Sequence, residues 1–148
     1  MSAPDLSRIH ASFAAQPIMA SIGAALSSVE PGAVSIALPP NPDTFQQHGF
    51  VHGGVVTAIA DSAAGYAAMT MIPDGMEVLT IELKTNFLRP ARGLLWAQGR
   101  VIRAGRQTVV AMTDVFCDPD GARKHVAMLT ATMAVVEHPE VTPARGSR

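Results

Sequence analysis

The chain has 148 residues, 48% of them hydrophobic and 16% charged, the balance of one packed globular domain and not of a disordered segment. Its formal net charge of −1, with no run of Lys or Arg, excludes the electrostatic footprint of a nucleic-acid or anionic-membrane partner. No uninterrupted apolar stretch is long enough to span a bilayer, and the single cysteine, Cys117, excludes an intrachain disulfide or a multi-cysteine zinc site.

The N-terminal stretch lacks a basic start followed by an apolar core, so no signal peptide is read and a cytoplasmic location is expected. Leu6, Ile9 and Phe13 fall at helical spacing and predict a first amphipathic helix limited by Pro17. Residues 18–28 suit either a short helix or a strand. The triplet EPG at 30–32 marks a turn before a strand at 33–38, and PPNPDT at 39–44 is a loop by composition. From Gly53 to Met71 there is no proline and much alanine, which predicts one long, slim, buried helix ended by PDG at 73–75. Four long strands follow, at 76–88, 93–103, 107–116 and 125–136, separated by turn sequences at hairpin spacing. A largely antiparallel sheet curling around the helix is expected, with residues 139–148 a loose tail.

Two features of the long helix call for a chemical reason. Gly53 and Gly54 open it, where backbone N–H groups lack partners and carry partial positive charge. Glycine there lets another group approach those donors, as stabilising an oxyanion requires, or merely permits a tight turn. A nucleotide phosphate loop is not indicated, because the lysine-bearing pattern is missing. Asp61 sits among alanines, as a general base, a nucleophile or a hydrogen-bonded structural acid. Eight residues of helix separate Gly53 from Asp61 by about 12 Å, while two groups acting on one carbon must both be within roughly 3–4 Å of it. One straight helix cannot supply both. Two antiparallel copies can, so a shared site implies an obligate homodimer with two equivalent sites.

The string Q-x-x-G-x-x-H-G-G at Gln46–Gly54, followed by Asp61, resembles the hotdog-fold acyl-CoA thioesterases of the phenylacetate-pathway (PaaI-like) group. NFLRPA at 86–91 and the GRQT turn continue the likeness, which covers about residues 10–137. The resemblance implies an α+β hotdog fold, a long central helix wrapped by a curved antiparallel sheet with an N-terminal helix, as a single domain. It implies homodimers that often stack into tetramers, an acyl-CoA substrate, and no separate cofactor, CoA being part of the substrate. By the same likeness, the Gly53 N–H meets the thioester carbonyl and Asp61 of the facing subunit attacks or activates water. Gln46 orients the thioester, where many members have Asn, and Thr80 holds the attacking water. His52 and Gly54 are expected beside the substrate, with His52 fixing the loop by hydrogen bonding near the active centre.

His48 and His52 form an H-x₃-H pair, but Gly49 between them and the missing third ligand argue against a metal. Coenzyme A phosphates need cations, for which Arg89, Arg103, Arg106, Arg123 and Lys124 are candidates, Arg89 and Arg106 favoured by their place in the family-like segments. The function expected is hydrolysis of an aryl- or medium-chain acyl-CoA. The alternatives are a non-catalytic acyl-CoA-binding protein and an enoyl-thioester hydratase or dehydratase.

Overall fold

A computed structural model describes residues 5–138; the expected tail at 139–148 lies outside the described residues. The first helix, α1 (Ser7–Ala14), follows the predicted spacing and buries Ile9. Pro17 does more than limit it. It occupies the first turn of a second helix, α2 (Pro17–Ile22), where a missing N–H costs nothing. Gly23, at φ 81°, closes α2 in the left-handed conformation, and β1 (Ala25–Glu30) follows. The ambiguous segment 18–28 is therefore helix and strand in succession, divided at a glycine.

After β2 (Ala33–Leu38) the expected loop contains a short 3-10 helix, Pro42–Thr44, and leads to the long helix α3 (Gly53–Met69). The remaining strands are β3 (Met76–Phe87), β4 (Leu94–Ala104), β5 (Thr108–Asp118) and β6 (Lys124–Glu137). All pair antiparallel in one sheet of order β1-β2-β4-β5-β6-β3.

The sheet holds α3 on one face, and small residues set how close it comes. Ala60, Ala63, Ala64, Ala67 and Ala68 are fully buried. A Cβ on Gly99 of β4 would stand 2.4 Å from the Ala63 carbonyl, so only glycine fits there. Beside it, the buried Thr113 hydroxyl of β5 donates to the Ala60 carbonyl at 2.8 Å, tying sheet to helix backbone. The slimness read from the alanines is thus matched by the sheet. At its other end α3 is closed by Arg8 of α1. That guanidinium donates to the carbonyls of Met69, Ile72, Pro73 and Met76, cations being favoured at a helix C-terminus.

β3 is an edge strand, and its alternation is broken by a bulge between Thr80 and Glu82. That break explains why its sequence alternates over only part of its length. Leu79, Ile81, Leu83 and Phe87 are all exposed along it, Ile81 at 62%. A long apolar edge strand offers a row of unpaired backbone groups to another chain.

Candidate active site

The loop before α3 is pinned at both ends. The His52 N–H donates to the Thr44 carbonyl and the Val51 N–H to the Ala91 carbonyl, each at 2.9 Å. Between them the Gln46 side-chain oxygen accepts from the backbone N–H groups of His48 and Phe50. The amide orientation is fixed by those two bonds: its oxygen faces the loop, and its NH₂ has no acceptor among the described residues. Gln46 also lines the cavity that contains Gly53.

At the start of α3 the four orphan donors can be accounted for one by one. His52 is the N-cap, and its Nδ1 accepts from the Gly54 N–H at 2.8 Å. The His52 N–H is held by the Thr44 carbonyl and the Val55 N–H reaches the His52 carbonyl at 2.9 Å, where the Val56 N–H makes the first regular helical bond at 3.1 Å. Only the Gly53 N–H has no acceptor among the described residues. His52, expected to fix the loop beside the substrate, does so by capping the helix with its ring, and the Gly54 donor is used inside that cap. A Cβ on Gly53 would lie 3.1 Å from the Phe87 ring, and one on Gly54 3.0 Å from His52 Nδ1. Close approach, not left-handed backbone, is why both positions are glycine.

The cavity at Gly53 has a volume of about 530 Å³ and is walled by Phe50, Val56, Phe87, Leu88 and Pro90. Arg89 lines it, held by a 3.1 Å bond from its guanidinium to the His125 carbonyl. Phe50, Arg89 and Pro90 also line an adjoining cavity of about 470 Å³ with Arg92 and Lys124. Arg92, which the sequence reading passed over, stacks on the Phe50 ring at 4.7 Å. Nothing in the order RPARG separates its role from that of its neighbour, since the stack depends on the loop's tertiary position. Arg103 and Arg106 belong to the opposite end of the sheet, at the β4–β5 turn, and Arg123 covers Phe116 on the outer face.

Asp61 lies in a different place. Its carboxylate accepts a 2.8 Å hydrogen bond from the Thr80 hydroxyl, pairing the acid with the hydroxyl singled out on β3. Both line a cavity of about 240 Å³ with Ser12, Gln16, Ser62, Gly65, Tyr66, Met69, Glu77 and Val78. Burial raises the Tyr66 phenol above its usual range, opposed by its bond to Ser12 and reinforced by Glu77. Among the described residues none lines both this cavity and the one at Gly53. Within one chain, Gly53, Gln46 and Arg89 stand together, Asp61 and Thr80 stand together, and the two groups are apart.

The thioesterase superfamily model matches residues 48–123, just over half of the chain. Among solved structures, a thioesterase family protein from Silicibacter pomeroyi is 37% identical with a TM-score of 0.86, over 88% of this chain and 96% of that one. A 1,4-dihydroxy-2-naphthoyl-CoA hydrolase from Listeria monocytogenes is 32% identical over 60% of this chain and 73% of its own length. The proofreading thioesterase EntH from Klebsiella pneumoniae is 28% identical over 62% and 67%. The chain spans about two thirds of the length of the first curated relatives it matches, 66% to 73%. The chain therefore belongs to the thioesterase superfamily, a family of hotdog-fold thioester hydrolases.

Proposed function

We propose that this protein hydrolyses acyl-CoA thioesters at a site shared by two copies of the chain, without a separate cofactor. The observation that carries the reading is the accounting at the α3 N-terminus. A helix end with three donors satisfied and one N–H without an acceptor among the described residues, at a glycine that lines a cavity, suits an oxyanion donor. The oriented Gln46 NH₂ supplies a second donor from the same wall.

The thioester carbonyl carbon would be attacked by water deprotonated by Asp61, or by the Asp61 carboxylate itself. The Thr80 hydroxyl steadies the acid in either case. Charge then gathers on the carbonyl oxygen, where the Gly53 N–H stabilises it, and collapse expels the CoA thiolate, which takes up a proton. The water route yields the free acid directly, and the carboxylate route yields an acyl–Asp61 anhydride that water then hydrolyses. Arg89 and Arg92 line the cleft leading from Gly53 and suit the CoA phosphates, while Lys124 there is paired with Asp120 at 3.7 Å.

β3 supports the shared site. Thr80 lies beside Asp61 and Phe87 beside Gly53, and midway the Thr57 hydroxyl of α3 bonds the Thr85 hydroxyl of β3 at 3.3 Å. An antiparallel β3–β3 pairing about a two-fold axis near Leu83 sets Thr80 and Asp61 of one copy opposite Phe87 and Gly53 of the other. It also covers the exposed apolar edge. The site requires the pair; stacking of pairs into tetramers is compatible with it but not needed.

The test is thiol release from a panel of aryl- and alkyl-CoA thioesters, wild type beside Asp61→Asn. The expected result is turnover by the wild type and a kcat lower by roughly three orders of magnitude or more in the variant, the scale of losing a general base or nucleophile. Undiminished turnover by Asp61→Asn removes Asp61 from the chemistry.

A further inference from the structure

We infer that Glu82 and Lys84 of β3 pair crosswise with Lys84 and Glu82 of a second copy. These two reciprocal ion pairs set the register at which Asp61 of one chain faces Gly53 of the other. The inference rests on the shared-site reading above and names what selects one pairing among the several that an edge strand permits.

Beyond the bulge after Thr80, β3 pairs regularly with β6 from Glu82 to Phe87. Thr85 and Phe87 belong to the face that carries α3, since the Thr85 hydroxyl meets Thr57 and the Phe87 ring lies against Gly53. Leu83 shares that face by alternation, and Glu82, Lys84 and Asn86 stand on the outer one. Glu82 and Lys84 are both exposed. Their neighbours across the ladder are Thr132 and Thr130, which offer no counter-charge. The Thr132 hydroxyl donates to Glu82 Oε1 at 2.8 Å and steadies the carboxylate on that face. Neither Glu82 nor Lys84 has an ion-pair partner among the described residues. An acid and a base thus stand two residues apart on the outer face of an unpaired edge, each without an opposite charge.

The register follows from symmetry. When two identical strands pair antiparallel about a two-fold axis at one residue, the residue before it stands opposite the residue after it. With the axis at Leu83, Glu82 faces Lys84 twice over. An axis at Glu82 sets that carboxylate against its own copy, and an axis at Lys84 sets ammonium against ammonium. Like charges directly opposite destabilise a sheet, whereas unlike ones support it. An axis between two residues would set inward side chains opposite outward ones, which the pleat forbids. Each step of the axis slides one copy past the other by two residues, about 7 Å. That slide exceeds the roughly 3–4 Å within which Asp61 and the Gly53 N–H must both reach one carbon. Charge on the outer face therefore fixes the geometry of the site on the inner face.

The experiment refolds together two full-length chains of distinguishable mass, Glu82→Lys and Lys84→Glu, and counts the dimers by native mass spectrometry. One chain then carries two cations at these positions and the other two carboxylates. Each homodimer has only like pairs, and the mixed dimer only unlike ones. Loss of the Thr132 bond travels with the Glu82→Lys chain into either dimer, so it cancels. If each homodimer is disfavoured roughly tenfold, the mixed share rises from the random one half to about nine tenths. Thiol release should be low for each variant alone and return in the mixture. In about 1 M salt, where screening acts within ~3 Å, the mixed share should fall back toward one half. A chain with both exchanges, Glu82→Lys and Lys84→Glu, restores unlike pairs in its own homodimer. Should the single variants not fold, that chain carries the test: dimers as tight as wild type uphold the inference, and monomers overturn it. Leu83→Cys separates the inference from the reading beneath it. The axis sets the two thiols face to face, so oxidation should link the copies, with wild type as control because Cys117 is buried. A cross-link at Leu83 with a mixed share of one half overturns the charge inference and leaves the paired edge standing. No cross-link at Leu83 overturns both.

Discussion

Gly53 differs from the three residues after it in having a backbone N–H without an acceptor, and that donor can be deleted by substitution. Proline is favoured at the first position of a helix, and His52, at φ −57° and ψ 136°, already has the extended conformation proline requires of the residue before it. Gly53→Pro should therefore preserve the helix while removing the N–H, and lower kcat by about 10²–10³, the scale of one oxyanion donor. Gly53→Ala keeps the N–H and adds a Cβ beside the movable Phe87 ring, so the difference between the two variants isolates the donor. Gln46→Glu makes the parallel test. It retains an oxygen for the loop N–H groups of His48 and Phe50 but loses the NH₂, and should cost about tenfold to a hundredfold in kcat at unchanged melting temperature. Gly53 and Asp61 stood out in the sequence because each breaks the expectation for its neighbourhood, glycine opening a helix and an acid among alanines, whereas Gln46 was singled out only by the family likeness. Arg92 did not stand out, because its stack on Phe50 forms only when distant segments meet.

At the scale of elements, the fold was legible where the period was strong and illegible where it was short. The long α3 and the hairpin strands followed from alanine content, alternation and turn residues. The split of 18–28 at Gly23 did not, since six apolar-rich residues suit either state and tertiary packing decides. The clamp of Arg8 on the end of α3 was equally hidden. Arg8→Met should lower stability by about 1–3 kcal/mol, as charge-assisted bonds from a half-buried guanidinium are lost, measured by urea unfolding. Tyr66 gives a second test of how α1 packs on α3. Its phenol is raised above the ordinary value of 10.0 mainly by burial, so the fold favours the protonated form. That contribution is fully present below pH 10.0 and is lost as pH climbs through the higher folded value. Wild type should lose melting temperature more steeply above pH 10 than Tyr66→Phe, whereas parallel slopes would place no stability in the burial of this phenol.

For the whole molecule, the separation of Gly53 and Asp61 on one chain is the fact that organises the rest. It was legible before any coordinates, because helical rise alone forbids the two groups from meeting within one copy. The surface proposed to join two copies was not legible. The bulge after Thr80 and the unpaired edge of β3 had to be seen. Ile81→Lys, placing a charge on that edge, should yield monomers by light scattering and abolish turnover without unfolding the chain. The most direct measurement mixes two inactive proteins, Asp61→Asn and Gly53→Pro, unfolds and refolds them together, and assays thiol release. If each site takes its acid from one copy and its donor from the other, half of the random dimers are mixed and each holds one intact site. Activity should then return to about a quarter of the wild-type value per chain. A mixture as inactive as its two components would contradict the shared site, because it would show that Asp61 and the Gly53 N–H must come from the same chain.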